Sequence, residues 1–263
     1  MPRCLLSRRA LCPIVAAATV LLPLPCLAAD GGNDWSYSAT LYLWAAGIEG
    51  ETAGGAEVDV GFDTLISNLN MAFMGAFEAR RGQWSFGADL VYLNVGANDN
   101  GTVPLRRASG ATADLDVAAS VETRGRVLNL TGAYNLVDTE KASLDVLFGA
   151  RYLDLELDFS LALAVPGQFG VARDFTASQT SWDAIVGVKG RLKLDGPWHL
   201  PYYLDMGTGQ SDFTWQAAGG VGYAFGQGDV SLLYRYASWE FGSGDALDNI
   251  SFSGPLLAGT WRF

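Results

Sequence analysis

Apolar and polar residues alternate along most of the chain, in segments of about 10–15 residues. In one such segment the first face reads Trp84, Phe86, Ala88, Leu90, Tyr92, and the second begins Ser85, Gly87, Asp89. A period of two residues is typical of a β-strand with one apolar face. No stretch with a helical period is long enough to build a domain, so the pattern predicts an all-β protein.

Short polar turns and longer polar segments alternate between these strands. The short turns are 80–83, 137–141, 194–197 and 226–228, and three of the four contain glycine. The longer segments are 46–68, 97–116, 159–179 and 242–248, with a brief one at 209–212. This asymmetry is typical of outer-membrane barrels, in which the short turns are periplasmic.

Ten strands are predicted between these segments, with eight or twelve as the alternatives. They are 35–45, 69–80, 84–96, 117–136, 142–157, 180–193, 198–208, 213–225, 229–241 and 249–263. An even number leaves both termini of the chain on the periplasmic side. We therefore predict a closed antiparallel up-and-down transmembrane β-barrel, formed by residues 29–263 as a single domain.

The first 28 residues have the layout of a cleaved secretory signal peptide. A basic start with Arg3, Arg8 and Arg9 precedes the apolar run 11–24, and Cys26-Leu27-Ala28 forms a small-x-small site. The apolar run is shorter than the ~20 residues that a spanning helix needs. The signal predicts export through the inner membrane and, with the barrel, a location in the cell outer membrane.

Removal of this signal changes the composition. All three cysteines leave with it, and 28 acidic residues then face 14 basic ones, a formal net charge of −14. That charge argues against nucleic acid as a partner. The sequence has no metal-ligand spacing, phosphate loop or nucleophile elbow, so we expect no cofactor. Its one histidine, His199, lies beside a turn expected to be periplasmic, and we expect no enzyme activity.

Tryptophan placement separates a membrane barrel from a soluble sandwich. Trp35, Trp84, Trp198 and Trp261 lie on the apolar face near the short turns, and Trp182 and Trp215 lie on that face at the opposite rim. Such rings favour the lipid–water boundary, so these six residues predict two aromatic girdles. Trp44 and Trp239 instead fall on the inward face, near the outer ends of their strands, where they would cap a polar lumen.

The inward faces carry the ionisable residues of interest. The predicted lumen charge network consists of Glu78, Asp89, Asp145, Arg151, Asp183, Lys189, Arg191, Asp205 and Arg235. Charges far from bulk water must pair or form hydrogen bonds. One interpretation is a narrow lumen filled by salt bridges, in an envelope structural or interaction protein; the alternative is a small passive channel for polar solutes or ions. Asp89, Lys189 and Arg235 are expected at a similar level.

Two further patterns point to envelope partners. Arg124 and Arg126 share the outward face with Leu128 and Leu130, and are candidates for contacts with lipid A phosphates of lipopolysaccharide. The last strand ends in the aromatic Phe263, with apolar residues at alternate positions. It resembles the C-terminal strand by which the barrel-assembly machinery recognises outer-membrane proteins.

The chain as a whole resembles a group of small bacterial outer-membrane barrel proteins, distantly similar to OmpA-type and opacity-type barrels. The matching segments are 41–47, 74–80, 149–152, 233–236 and 253–255. The resemblance implies the fold and a location among outer-membrane lipids; it does not imply an activity.

Overall fold

The computed structural model describes residues 34–263, except for 53–54, 56, 107–111, 166–168, 243–244 and 246. The predicted signal peptide, 1–28, lies outside the described residues. Within the described part, no helix is long and apolar enough to cross a membrane.

The described residues form twelve strands and one short helix. The strands are β1 (Trp35–Trp44), β2 (Gly47–Thr52), β3 (Glu57–Val60), β4 (Leu69–Arg81), β5 (Trp84–Arg106), β6 (Thr112–Asp138), β7 (Ala142–Val165), β8 (Phe169–Lys193), β9 (Trp198–Gly209), β10 (Phe213–Phe225), β11 (Gly228–Glu240) and β12 (Leu247–Arg262), and the helix α1 is Phe62–Ser67.

Ten of these strands, β1 and β4 to β12, form a closed antiparallel up-and-down barrel, which confirms the predicted fold and strand number. Each pairs with its neighbours in chain order, and β1 closes the ring against β12. At the seam the backbones of Tyr37 and Phe263 exchange hydrogen bonds of 2.8 and 2.9 Å. We call the end with the short turns and this seam contact the turn end, and the opposite end the loop end.

The barrel is strongly sheared. From Leu41, residue pairing runs one way through Gly75, Leu90, Leu128 and Tyr152 to Trp182 on β8, near the loop end. The other way, it runs through Gly259, Val230 and Tyr223 to Trp198 on β9, at the turn end. Because β8 and β9 are neighbours, following the residue pairing once around the barrel leads from one rim to the other. The strands therefore tilt, as closure of a barrel requires.

Segment 46–68, predicted to be a loop, contains β2, β3 and α1. The prediction was wrong for β2, which continues β1 beyond Ala45-Ala46 in unchanged register: β12 pairs Leu256 with Trp44 and Phe252 with Ile48. β3 pairs with β2 alone and lies outside the ring.

Segments 97–116 and 159–179, also predicted to be loops, are mostly strand. β5 pairs with β4 only as far as Val95, and β8 pairs with β9 only as far as Asp183. Beyond these points β5, β6, β7 and β8 pair with each other alone, and they extend past the loop end as a four-stranded sheet. We call this extension the projecting sheet. The loop prediction failed because polar, glycine-containing sequence indicates loops only where no neighbouring strand continues the ladder.

Three of the short turns depend on glycine. Gly82, Gly196 and Gly226 have φ values of 58°, 71° and 49°. Residues with a Cβ rarely adopt these values, so glycine permits the tight reversals that the sequence indicated.

The apolar face of the strands lies on the outside of the barrel. Leu43, Val186 and Leu232 expose 72%, 59% and 59% of their surface. In a water-soluble protein such side chains would be buried, whereas a lipid-facing wall requires them outside. The inward positions of the same strands hold the polar and charged residues described next.

Candidate functional site

The six tryptophans predicted to form girdles all lie on the outer wall. At the turn end, Trp84 contacts Tyr134 and Trp198 contacts Tyr223, each pair with ring centroids 5.0 Å apart. Trp35 and Trp261 are also exposed there. Near the loop end, Trp182 packs on Tyr152 and Trp215 on Tyr236, at 4.7 and 4.6 Å. The outer wall therefore carries aromatic rings at both rims of its apolar band.

Two arginines form a buried layer across the middle of the lumen. Arg151 donates to Asp205 at 2.5 Å, and neither side chain is exposed to solvent. The same guanidinium donates to Asn129 Oδ1 at 2.8 Å and to Thr214 Oγ1 at 3.0 Å. A fully buried charge is stable only when paired and hydrogen-bonded in this way.

The second arginine of this layer is Arg235. It donates to Asp89 Oδ2 at 3.0 Å and to Gln216 Oε1 at 2.8 Å. The Tyr42 hydroxyl bridges the pair: it donates to Asp89 and accepts from Arg235 at 3.1 Å. Asn129 Nδ2 also donates to Asp89, at 3.2 Å, and so joins the two arginine groups into one network, the central ion layer.

An apolar cluster lies in the lumen on the loop-end side of this layer. Trp44 and Trp239 expose 6% and 1% of their surface, and both rings pack against Phe252, at 6.3 and 5.9 Å. Phe241, Ile250, Met74, Val91, Val127 and Leu153 belong to the same cluster. Arg235 lies 4.7 Å from the Trp44 ring and Arg151 lies 5.5 Å from the Trp239 ring, distances at which a cation is attracted to the aromatic face. We call this cluster the loop-end cap.

On the other side of the central ion layer, the lumen opens into a cavity of about 400 Å³ that reaches the turn end. We call this cavity the vestibule. Glu78 pairs with both Lys189 and Arg80, and Arg80 also pairs with Asp145. Solvent reaches this cluster, since the Arg80 side chain is 32% exposed.

The nine predicted network residues all face inward, but they do not form one network. Lys189, expected beside Asp89 and Arg235, pairs with Glu78 instead. Asp183 accepts from the Ser211 N–H at 2.8 Å and from the Ser181 hydroxyl at 2.9 Å, and no ion pair within the described residues includes it. Arg191 likewise takes part in none of the ion pairs formed by the described side chains. The predicted grouping was wrong because the barrel is sheared: residues the same number of positions from their turns lie at different heights along the barrel axis.

The sequence reasoning missed four ionisable lumen residues that take part in these ion-pair groups. Tyr42 belongs to the central ion layer, Arg80 to the vestibule cluster, and Arg262 pairs with Asp229 at the turn end. Strand parity was the available signal, because Arg80 shares its face with Glu78, and Arg262 shares its face with Thr260. Arg80 had been assigned to a turn, and Arg262 to the terminal-strand signature.

Arg124 and Arg126 lie on the outer wall, as expected for contacts with lipid A. Both are already paired: Arg124 donates to Glu122 at 3.0 Å and to Glu156 at 3.3 Å, and Arg126 donates to Asp154 at 3.2 Å. A phosphate would therefore compete with three carboxylates, and the lipid A contact stays a prediction.

Comparisons with known proteins give distant structural matches. The translocator domain of the autotransporter NalP from Neisseria meningitidis matches with a TM-score of 0.42 and 16% identity, over 89% of this chain and 90% of that one. Ail, the attachment invasion locus protein of Yersinia pestis, matches with 0.34 and 10%, over 88% and 99%. A mutant of the monoaromatic hydrocarbon channel TodX matches with 0.36 and 11%, over 89% and 91%.

No protein-family model and no curated protein matches the chain. The structural matches are too distant to indicate a family or a function, so the fold rests on the strand pairings themselves. By those pairings, the chain is a closed ten-stranded antiparallel up-and-down β-barrel, with an apolar outer wall, an ion layer across its lumen and an aromatic cluster towards its loop end.

Proposed function

We propose that the chain is an integral protein of the bacterial outer membrane, with the turn end in the periplasm and the projecting sheet outside the cell. The apolar outer wall and the aromatic rings at both rims support the membrane location. Short turns are periplasmic in barrels of this type, which supports the orientation. The secretory signal predicted at 1–28 is consistent with export.

Within that membrane the protein acts as a structural or interaction barrel that does not conduct. The observation that carries this proposal is the pair of successive barriers in the lumen. The central ion layer holds Arg151 and Asp205 fully out of solvent, and the loop-end cap buries Trp44 and Trp239 directly behind it. A barrel of about this width is usually filled by its own side chains. Solutes entering the vestibule therefore meet a closed wall.

The projecting sheet is the part of the chain best suited to an interaction role. In this sheet β8 extends about 40 Å beyond Trp182, well past the aromatic residues at the loop-end rim. Among the described residues, its two outer strands each have one edge without a strand partner, at 97–106 of β5 and 169–181 of β8. Unpaired strand edges offer backbone groups to a partner.

A small passive channel is the second candidate, and the charged vestibule is the observation that favours it. Single-channel recording in planar bilayers separates the two functions. We expect wild-type protein, shown by heat-modifiability to be inserted, to give no conductance steps. Steady wild-type conductance, shifting towards cation selectivity in Arg235→Ala, would instead establish the channel.

A further inference from the structure

The walls of the vestibule are unusual for this chain because they carry more positive than negative charge. Its lining includes five basic side chains and four carboxylates, with His199 taken as neutral: Arg80, Lys189, Arg191, Arg235, Arg262, Glu78, Asp89, Asp145 and Asp229. The whole chain has a formal net charge of −11. A positive cavity inside an acidic protein is not explained by overall composition.

The excess charge can be assigned to one residue. The four carboxylates are paired with the other four bases: Glu78 with Arg80 and Lys189, Asp145 with Arg80, Asp89 with Arg235, and Asp229 with Arg262. In the part of the chain that the structure describes, no carboxylate pairs with Arg191. Arg262 and Arg80 are close enough to repel it, and Asp229 and Glu78 attract it without forming an ion pair.

Two further polar side chains face the same space, of which the Ser231 hydroxyl already donates to Asp229 Oδ1 at a long 3.4 Å. His199 exposes 5% of its surface and Ser231 also 5%, and both line the vestibule with Arg191. Gly222 lies between them: a Cβ at this position would lie 2.3 Å from His199 Nε2 and 2.6 Å from Ser231 Oγ. The absence of a side chain at 222 therefore lets an imidazole nitrogen and a hydroxyl approach one point.

We propose that the vestibule binds a small oxyanion, a carboxylate- or phosphate-bearing solute that enters from the turn end, with Arg191 as its main ligand and Ser231 and His199 as further donors. A guanidinium presents parallel N–H donors that match the oxygens of such an anion. A half-buried guanidinium without a carboxylate is costly, and a bound anion would compensate it. A cavity of about 400 Å³ holds a small solute.

This inference goes beyond the non-conducting barrel and does not depend on it, because it is tested by binding. The full chain is folded in detergent micelles and titrated calorimetrically with sodium phosphate and, separately, with sodium succinate. Ionic strength is held constant so that screening is equal in every titration. The two anions distinguish the phosphate and carboxylate classes.

We expect saturable binding of at least one of these anions to wild-type protein. Arg191→Gln should weaken it about tenfold or more, the equivalent of one charge-assisted hydrogen bond. Arg81→Gln is the matched control: it removes the same charge at the same end, but on the outer wall beside Trp35, and should leave binding unchanged.

Gly222→Ala provides an independent variant if Arg191→Gln fails to fold. Its Cβ would displace His199 and Ser231, so binding should weaken with Arg191 intact. Absence of saturable binding to wild type, or equal binding by wild type and both vestibule variants, would overturn the proposal. Loss of binding in Arg81→Gln as large as in the vestibule variants would indicate a nonspecific charge effect and would overturn it too.

Discussion

At the scale of single residues, adjacent positions on one strand have opposite surroundings. On β8, Val186 lies on the outer wall and exposes 59% of its surface, while the adjacent Ile185 faces inward and exposes 1%. Substitutions one position apart should therefore fail for different physical reasons: contact with lipid on one face, and crowding or loss of a partner on the other.

Leu204 tests the lipid-facing assignment. It lies in the middle of β9 and exposes 44% of its surface. Leu204→Arg should lower the free energy of unfolding in bilayers by roughly 2–4 kcal/mol, because it places a charge in the hydrocarbon. Leu194→Arg is the depth control: Leu194 is equally exposed but lies in a turn, and its change should be near zero. Equal stability of Leu204→Arg and wild type would show that the face is misassigned.

Arg151 and Arg80 test how much burial adds to an ion pair. Arg151→Ala should reduce the free energy of unfolding by ~3–5 kcal/mol, because Asp205 is left buried without its cation. Arg80→Ala should cost less, about 1–2 kcal/mol, because solvent reaches its cluster, Glu78 keeps Lys189, and the buried Asp145 keeps its hydrogen bond from Asn135. Urea titration in lipid vesicles measures both. Similar losses in the two variants would mean that the central ion layer is hydrated.

The alternation of inward and outward positions along each strand was enough to assign these residues to the inner or outer wall. It was not enough to assign partners. Asp89 pairs with Arg235, as expected, but Lys189 pairs with Glu78, because the tilt of the strands sets which inward residues share a level. The register that fixes the tilt depends on pairings between distant segments, which one sequence does not reveal.

At the scale of elements, the barrel and the projecting sheet belong to the same strands but have different environments. The sequence predicted β9 and β10 to within one residue, since both end near the membrane rim. It truncated β5 to β8, because alternation with an apolar face is required only where lipid covers the wall. Beyond lipid, the ladder is maintained by the neighbouring strand alone.

The projecting sheet should therefore be dispensable for folding. We expect a variant in which 100–118 and 162–172 are each replaced by Asn-Gly to insert normally, because both hairpins keep all pairings within the barrel wall. Heat-modifiability and resistance to protease in vesicles measure insertion. Failure of this variant to insert would indicate that barrel folding begins in the projecting sheet.

At the scale of the whole molecule, closure depends on the contact between the two ends of the described chain. Phe263 exchanges two backbone hydrogen bonds with Tyr37, and the two rings lie 6.0 Å apart. These contacts complete the seam between β1 and β12 at the turn end. Without them the seam loses its last pairing at the turn end, and the backbone groups of Tyr37 lose their partners at the edge of the wall.

Deletion of Phe263 should reduce the fraction of inserted, heat-modifiable protein in the outer membrane. Phe225→Ala is the control: Phe225 is another exposed aromatic residue at the turn end, but it forms no part of the seam, and its loss should leave insertion intact. Normal insertion after deletion of Phe263 would mean that the seam closes without it.

The adjacency of Tyr37 and Phe263 also means that the strand order is a ring with no intrinsic first member. A short linker joining 263 to 35 would let the chain be reopened between Phe225 and Gly226, so that β11 comes first and β10 last. The new terminus would be Phe225, preceded at alternate outward positions by Tyr223 and Val221, exposed by 48%, 44% and 44%. That strand would end in an aromatic residue after alternating apolar positions, as β12 does now. β10 could therefore serve as the last strand in place of β12. A circular permutant would show whether the barrel depends only on its strand pairing or also on the order in which the strands are synthesised.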